Sequence, residues 1–279
     1  MASLRYLVTL PGVPRRAISR VAGALARAPV PGWLREPLFG FLAARFGIDR
    51  AEVPGEWRDY GCFLEVFTRP LPEGSRPLPL GEAWLSPADG VLIERSVVAP
   101  EGTWLVKGAP YEHEELLPGV AGPLRGYQAL QVYLAPSDYH RFHAPCSMEI
   151  VAAATRPGEL LPVDPGVVGR SHRVLARNRR VVLHCRAADG APFAMAFVAA
   201  LNVGRMRFTF DDTLGALPMT AGLRRYDPPP RLAAGAEIGR FELGSTIVVV
   251  APPGLRPLVE IGGRCRAREP LLAGRAMEN

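Results

Sequence analysis

The chain has 279 residues, of which 48% are apolar, enough for one large domain or two modest ones with a buried core. This length and composition exclude a small disulfide-stapled protein and a wholly disordered one. Only four cysteines occur, and no two of them have the spacing of a zinc ribbon or a thioredoxin-type redox motif. We therefore expect a reduced chain with incidental thiols.

The basic residues bear on both cofactors and partners. The 33 basic side chains include a single lysine, Lys107, which is the only candidate for the Schiff base that a pyridoxal-phosphate enzyme requires. Residues 1–50 carry eight arginines against two carboxylates, so they hold the whole net charge of +6. The positive charge therefore belongs to the N-terminal region.

Two short amphipathic helices are predicted in that region, because apolar residues recur at helical spacing between flanking arginines. The first apolar stripe consists of Ile18, Val21, Ala22 and Leu25. The second consists of Trp33, Leu34, Leu38, Phe41 and Leu42. Neither segment is long enough to span a bilayer, and the apolar stretch before them is too short for a signal peptide.

Two interpretations of these helices remain open. Arginine beside aromatic and aliphatic residues suits a surface that lies on anionic lipid. The alternative is that the helices pack on the main domain and present a solvated arginine face, and the two interpretations are compatible. Nucleic-acid binding is disfavoured, because the charge is not attached to any nucleic-acid-binding motif.

After about residue 60, short β-rich runs alternate with glycine and proline. With the helices, this pattern predicts an α+β protein whose main domain is an antiparallel β-sheet, without the strand and helix alternation of a Rossmann or barrel fold. The apolar run 247–251 predicts a strand buried on both faces, and the proline-rich tract 226–231 predicts an extended loop. The predicted strands lie at 83–85, 91–94, 104–106, 129–134, 181–185, 193–201, 207–210 and 247–251.

Three short motifs carry candidate chemistry, and each alone has a plain structural interpretation. Asp89-Gly90 stands between two apolar runs, which on its own predicts a hairpin turn. His140 and His143 suit proton transfer near neutral pH, whereas a metal site is disfavoured because no further ligand stands at a suitable spacing. Gly244-Ser245 precedes the buried strand and on its own is typical of a turn.

In their combination and order, these motifs resemble the phosphatidylserine decarboxylases, enzymes that make their own pyruvoyl cofactor by cleaving themselves before a serine. The resemblance runs along nearly the whole chain and includes the basic amphipathic N-terminus. It is carried by Asp89, Tyr139-His140-Arg-Phe-His143 and Leu243-Gly244-Ser245-Thr246, with Arg69-Pro-Leu, Arg76-Pro-Leu, Val106-Lys107-Gly108, Tyr133-Leu-Ala-Pro136 and Gly235-Ala-Glu237 in support. Because Lys107 belongs to one of these segments, the pyridoxal-phosphate candidate falls away.

The resemblance implies a self-cleavage reaction between Gly244 and Ser245. The Ser245 hydroxyl attacks the Gly244 carbonyl, with His143 as the base and Asp89 orienting and stabilising the imidazolium. The products are a β chain, 1–244, and an α chain, 245–279, that stay associated. Residue 245 becomes a covalent pyruvoyl cofactor, and no metal is involved.

The resemblance also implies that the mature enzyme decarboxylates phosphatidylserine to phosphatidylethanolamine through a Schiff base to the pyruvoyl group. His140 is expected to position the substrate carboxylate or to protonate the carbanion. Residues 1–60 are expected to form a membrane-association region and residues 61–279 the catalytic domain. The enzyme is expected on the cytoplasmic face of the cell membrane as a peripheral protein, with anionic lipid as its partner, a homodimer as an open question, and no nucleic acid.

Three alternatives remain. A conventional serine hydrolase would use the same residue types, but the Gly-x-Ser-x-Gly motif is absent around Ser245. A non-enzymatic membrane-binding relative would keep the N-terminus and lose processing. A pyruvoyl decarboxylase of a soluble amino acid would have no use for a basic amphipathic N-terminus.

Overall fold

The computed structural model describes residues 15–81, 83–106, 109–120, 124–163, 173–201, 205–243 and 245–274. The sequence predictions for Lys107 and Gly244 lie outside these residues. The described chain forms two N-terminal helices followed by antiparallel sheets, so the predicted α+β class is confirmed. None of the helices in these ranges combines the length and the apolar character needed to cross a membrane.

The two predicted N-terminal helices are α1 (Arg15–Arg27) and α2 (Gly32–Phe46). α2 ends where Gly47 adopts a left-handed conformation (φ 79°) and its N–H donates to the Ala43 carbonyl at 2.8 Å. The shorter helices are α3 (Phe63–Phe67), α4 (His113–Leu116) and α5 (Val174–Arg177), with 3-10 turns at Arg50–Glu52 and Trp57–Asp59.

The apolar stripe of α1 faces solvent. Ile18, Val21 and Leu25 are 40%, 59% and 70% exposed, whereas the side chains turned inward, Ser19 and Ala26, are small. Small inward residues allow the helix to approach the main domain closely. The helix therefore packs on the domain and still presents an apolar outer surface.

The second apolar stripe is divided between the two faces of α2. Trp33 and Phe41 are 80% and 66% exposed, whereas the inward residues belong to a small hydrophobic core that extends to α3. The expected boundary between residues 60 and 61 falls within this core, and the division into two regions stays a prediction. The buried members of the core are Phe39, Ala43, Ile48, Val53, Trp57 and Val66.

Antiparallel ladders account for almost all strand pairing. The strands are β1 (Trp84–Leu85), β2 (Gly90–Val97), β3 (Thr103–Val106), β4 (Ala109–Glu112), β5 (Gln128–Leu134), β6 (Arg141–His143), β7 (Met148–Arg156), β8 (Arg180–Ala187), β9 (Pro192–Ala199), β10 (Met206–Phe208), β11 (Gly222–Arg225), β12 (Arg231–Leu232), β13 (Glu237–Phe241), β14 (Ser245–Ala251), β15 (Arg256–Pro257), β16 (Arg264–Cys265) and β17 (Pro270–Ala273).

One nine-stranded sheet, which we call the main sheet, organises the molecule. Its order is β11-β7-β8-β9-β14-β5-β2-β16, with β12 also pairing with β7. Two three-stranded sheets, β1-β17-β15 and β10-β13-β6, and the hairpin β3-β4 complete the described strands. The aromatic residues of the β10-β13-β6 sheet pack on one face of the main sheet, and β3, β4, α4 and α5 cover the other face.

The run 247–251 is confirmed as a strand buried on both faces. It lies in β14, between β9 and β5 in the middle of the main sheet. Ile247, Val249 and Ala251 enter one hydrophobic core, and Val248 and Val250 enter the other. This alternation follows from the two-residue period of a strand.

The sequence analysis did not predict the nine-residue strand β7, because its run of alanines has little strand propensity. This strand forms because it pairs with β8 on one side and with β11 and β12 on the other.

The prediction of a hairpin at Asp89-Gly90 is wrong. β1 pairs with β17 and β2 pairs with β5, and these pairs belong to different sheets.

Glycine at position 90 is required by a close approach of two strands. A Cβ atom there would lie 2.2 Å from the Tyr133 carbonyl oxygen of β5, a distance at which the strands must separate. Because residue 90 is a glycine, β2 can begin directly after Asp89 and pair with β5 from its first residues.

Candidate active site

Ser245 lies where three strands of the main sheet meet. It is the first residue of β14 and pairs with Leu134 at the end of β5 and with Ala199 at the end of β9. Because antiparallel neighbours run in opposite directions, the start of β14 adjoins the ends of both. Ser245 thus stands at one end of the central strands, where the chain leaves β5 toward the histidine motif.

The β10-β13-β6 sheet brings both histidines to this end of the main sheet. His143 ends β6, and His140 directly precedes that strand. The Phe241 N–H of β13 donates to the His140 carbonyl at 3.0 Å, and the chain then continues from β13 toward Ser245. The pairing of β6 with β13 therefore places the histidines beside the segment that leads to the serine.

His143 is buried and bonded at both ring nitrogens. Nδ1 lies 3.0 Å from the Gly235 carbonyl oxygen, and Nε2 lies 3.1 Å from the Tyr139 hydroxyl. Because a carbonyl only accepts, Nδ1 carries the proton and Nε2 accepts from Tyr139. Burial lowers the pKa of His143, and the Gly235 carbonyl and the Glu237 carboxylate oppose this only in part. His143 is therefore a neutral base whose lone pair is engaged by Tyr139.

His140 has the same tautomer, but its second nitrogen is not engaged. Nδ1 donates to the Asp138 carbonyl at 2.7 Å, and the ring packs against Phe67 with centroids 4.0 Å apart. Nε2 is buried and has no hydrogen-bond partner among the described residues. Burial lowers the pKa of His140 to about 3. The side chain therefore offers a neutral nitrogen that can accept a hydrogen bond in a water-poor environment.

Asp89 is buried and bonded to an arginine. Both of its carboxylate oxygens accept from Arg76, with Nη2 of Arg76 2.9 Å from Oδ2, and Oδ1 also accepts from the Ala267 N–H at 2.8 Å. Arg76 also donates to Glu52 at 2.6 Å. Burial lowers the pKa of Arg76, but its bonds to Asp89 and Glu52 outweigh burial and raise it. Arg76 therefore stays charged beside Asp89.

The charge of Asp89 acts on the histidines at longer range. It raises the pKa values of both His140 and His143, by less than burial lowers them. The backbone also links the two motifs, because the His143 N–H donates to the Pro87 carbonyl at 2.8 Å. Asp89 thus lies close enough to stabilise positive charge on an imidazole without bonding to it.

The Ser245 hydroxyl is completely buried and has no hydrogen-bond partner among the described residues. A buried hydroxyl without a partner costs about 1–3 kcal/mol, and such exceptions are rare in folded proteins.

The predicted site residues do not form a hydrogen-bonded triad in this structure. The carboxylate of Asp89 is occupied by Arg76 and the Ala267 N–H, and both nitrogens of His143 have other partners. The orientation of His143 therefore rests on Gly235 and Tyr139. The catalytic roles of Asp89, His140, His143 and Ser245 stay predictions, and the geometry at Gly244 lies outside the described residues.

Sequence reasoning gave no role to the arginines around these residues. Arg69 is 1% exposed, and its two terminal nitrogens have no hydrogen-bond partner in the described part of the chain. Its Nη2 lies 3.6 Å from the Glu52 carboxylate, and burial lowers its pKa despite that charge. The only sequence signal for Arg69 and Arg76 was their two Arg-Pro-Leu motifs.

Among the described residues, no group of three His, Cys, Asp or Glu side chains could hold a metal ion.

Fold and site together define an α+β protein with a buried serine and two neutral histidines at the end of a central antiparallel strand. A family model described as phosphatidylserine decarboxylase matches residues 63–273, which include all of these side chains. The chain belongs to the phosphatidylserine decarboxylase family, so the resemblance seen in its motifs is confirmed.

Similar proteins extend the match over most of the chain. A phosphatidylserine decarboxylase proenzyme of Halorhodospira halophila is 37% identical over 249 residues, covering 87% of this chain and 84% of that protein. A proenzyme of the same name from Anaeromyxobacter sp. is 36% identical over 277 residues, covering 95% of this chain and 97% of that protein. One from Helicobacter pylori is 33% identical over 237 residues, covering 84% and 88%.

Proposed function

We propose that this chain is a proenzyme that cleaves itself between Gly244 and Ser245 and then decarboxylates phosphatidylserine to phosphatidylethanolamine and carbon dioxide. The observation that carries the proposal is the buried, unpartnered Ser245 hydroxyl at the start of β14. The names of the relatives support it, since they are phosphatidylserine decarboxylase proenzymes.

Cleavage begins when Oγ of Ser245 attacks the Gly244 carbonyl carbon and its proton passes to a base. The amide C–N bond breaks as an ester C–O bond forms, and the freed amine takes a proton. Loss of the Ser245 Cα proton then breaks the Cβ–Oγ bond and releases Gly244 as a carboxylate. Water adds to residue 245, ammonia leaves, and a pyruvoyl group remains without any external oxidant.

His143 is the proposed base for this reaction. Its Nδ1–H is fixed by Gly235, so Nε2 is the nitrogen that can take the serine proton. Nε2 must exchange the Tyr139 hydroxyl for the Ser245 hydroxyl to do so. The buried negative charge of Asp89 then stabilises the imidazolium.

The residues around position 245 fit a pyruvoyl group. The position is buried, the Ser245 side chain bonds to no described neighbour, and the nearby histidines are neutral. When formed, the group supplies a carbonyl that accepts the substrate amine and takes up the electron pair released with carbon dioxide.

His140 is the proposed proton carrier of the mature enzyme. Its Nε2 is buried and has no described partner, and burial makes its protonated form a strong acid, so we assign it the delivery of a transiently held proton to the carbanion at Cα after carbon dioxide leaves. Because a neutral acceptor nitrogen does not bind a carboxylate, we propose proton transfer and not the alternative role of positioning the substrate carboxylate.

The two chains are proposed to stay together after cleavage. β14, which begins the α chain, pairs with β5 over seven residues and with β9 over six. β17 pairs with β1 of the β chain. These ladders are buried in the hydrophobic core and do not depend on the peptide bond before Ser245.

The N-terminal helices are proposed to bind the cytoplasmic face of the cell membrane, where anionic lipid is the partner. Ile18, Val21 and Leu25 of α1 and Trp33 and Phe41 of α2 form the exposed apolar surface, and the surrounding arginines supply attraction to the lipid. Because substrate and product both keep their acyl chains in the bilayer, the enzyme brings its site to the headgroup plane.

Intact mass spectrometry and a decarboxylation assay test this proposal. We expect the purified protein to separate on denaturation into chains 1–244 and 245–279, the second blocked to N-terminal sequencing, and to convert phosphatidylserine vesicles to phosphatidylethanolamine. Ser245→Ala is expected to stay as one folded, inactive chain. A folded wild-type protein with an intact serine at 245 would overturn the proposal.

A further inference from the structure

A cavity of about 380 Å³ lies between α1 and the main domain. Arginines of both parts line it, namely Arg20 and Arg27 of α1 and Arg179 and Arg205 of the domain. Glu242 is the only carboxylate among its described lining residues. We call this space the arginine cavity.

The arginine cavity holds an excess of positive charge. Glu242 is buried and bonds to Arg27 and to Arg207, with Oε1 3.3 Å from Nε of Arg207. Its single negative charge is thus already shared, while Arg20 and Arg205 have no ion pair within the described ranges. Cations gathered around one cavity repel each other unless an anion joins them.

The cavity adjoins the segment that leads to Ser245. The Glu242 N–H donates to the Arg205 carbonyl at 3.2 Å, and Glu242 stands three residues before Ser245. Three residues of chain span at most about 11 Å. A small anionic group in the cavity can therefore belong to a molecule whose other end reaches position 245.

The cavity also adjoins the proposed membrane surface. α1 forms one wall of the cavity with Ser19, Arg20 and Gly23, and its opposite side carries the exposed Val21 and Leu25. The cavity and the apolar surface therefore lie on opposite sides of one helix, about 10 Å apart.

We propose that the arginine cavity binds the phosphodiester of the anionic phospholipid substrate, an inference that rests on the proposed function. Arginine suits phosphate, because its planar guanidinium donates two parallel hydrogen bonds to the oxygens. The substrate carboxylate is the poorer occupant, since a cation bound to it stabilises the ground state and opposes loss of carbon dioxide. The phosphodiester keeps its charge throughout, so its binding lowers KM and leaves kcat unchanged.

Arg205→Gln and Arg20→Gln test the proposal in the full-length, self-cleaved protein. Two substrates are used: phosphatidylserine in vesicles, and soluble glycerophosphoserine, which has the phosphodiester without acyl chains. We expect each variant to raise KM about tenfold for both substrates, with kcat within twofold of wild type and complete cleavage. Arg205→Lys, which keeps the charge, is expected to recover part of the loss.

Arg45→Gln is the matched control, because it removes one exposed charge from α2 outside the cavity. It is expected to leave KM for glycerophosphoserine unchanged. The proposal fails if the cavity variants mature fully and keep wild-type KM for the soluble substrate, which would assign these arginines to general attraction to the membrane. It also fails if folded Arg205→Gln is not cleaved, which would assign Arg205 to the cleavage reaction. Wild-type protein that matures without decarboxylating phosphatidylserine would instead refute the proposed function.

Discussion

At the residue scale, the two histidines share a tautomer and differ in what their second nitrogen meets. Nε2 of His143 accepts from Tyr139, whereas Nε2 of His140 has no partner among the described residues. Burial keeps both rings neutral by lowering their pKa values. This difference is the basis of the separate roles that we propose for the two histidines.

Replacing each histidine by alanine separates these tasks. We expect His143→Ala to block or strongly slow cleavage, because the serine loses its base, and His140→Ala to be cleaved but to decarboxylate poorly. Asp89→Ala should also slow cleavage, on the order of 10⁴-fold if it acts as the carboxylate of a triad does. Denaturing electrophoresis measures cleavage, and thermal melting of each variant controls for folding. If His140→Ala stays uncut while His143→Ala matures, the two roles are exchanged.

The buried histidines also predict how stability depends on pH. His140, His143 and His184 all have pKa values lowered by burial. Below pH 6.5 the unfolded chain takes up protons that the folded chain does not, so stability is greatest above pH 6.5 and falls with falling pH. For His140, whose pKa lies near 3, the loss approaches about 1.4 kcal/mol per pH unit below pH 6.5.

Urea unfolding of uncut Ser245→Ala between pH 7 and 5.5 measures this loss, a range in which most carboxylates do not titrate. Adding His140→Gln is expected to reduce the slope, because that variant no longer carries the group whose pKa lies near 3. A free energy of unfolding that is constant over this range, or a slope that is equal in both proteins, would contradict the prediction.

At the element scale, the site depends on how closely β2 approaches β5 beside Asp89. Gly90 permits that approach, since any Cβ atom would meet the Tyr133 carbonyl. β5 in turn pairs with β14 and aligns Ser245 with Leu134. The alignment of β2, β5 and β14 therefore depends on the absence of a side chain at Gly90.

Gly90→Ala is expected to destabilise the protein on the order of 3 kcal/mol, because the backbone must separate to accommodate the methyl group. Gly32→Ala is the control: nothing lies within 4 Å of a Cβ atom at that position, and alanine is the better helix former. Both are measured by urea unfolding in the Ser245→Ala background. Equal stability of the two variants would show that the strands move apart at little cost.

At the scale of the whole molecule, the N-terminal helices pack inward with small or aromatic residues and present other apolar residues to solvent. Deleting them would also remove Phe39 and Ala43 from a buried core. Point substitutions on the exposed surface are therefore the sharper test of membrane binding.

Trp33→Glu combined with Phe41→Glu is expected to weaken binding to phosphatidylserine vesicles at least about tenfold, because each aromatic ring loses its burial in the bilayer. Leu80→Glu, at a fully exposed position outside these helices, is the control and should bind as wild type does. Vesicle co-sedimentation measures binding, which should also fall with added salt. If the double variant binds vesicles as strongly as the wild-type protein does, the membrane-binding surface lies elsewhere on the molecule.

The sequence by itself determined the fold class, the two helices, the buried strand β14 and the family, because periodicity and short motifs are properties of neighbouring residues. It did not predict β7, whose alanines form a strand only through pairing on both sides. It also placed Asp89 beside His143 in a triad, whereas the structure bonds Asp89 to Arg76 and His143 to Gly235 and Tyr139. Arg76 and Gly235 are distant in the chain from the side chains to which they bond. Only the tertiary packing, which favours a partner for most buried polar groups, could therefore decide between the two arrangements.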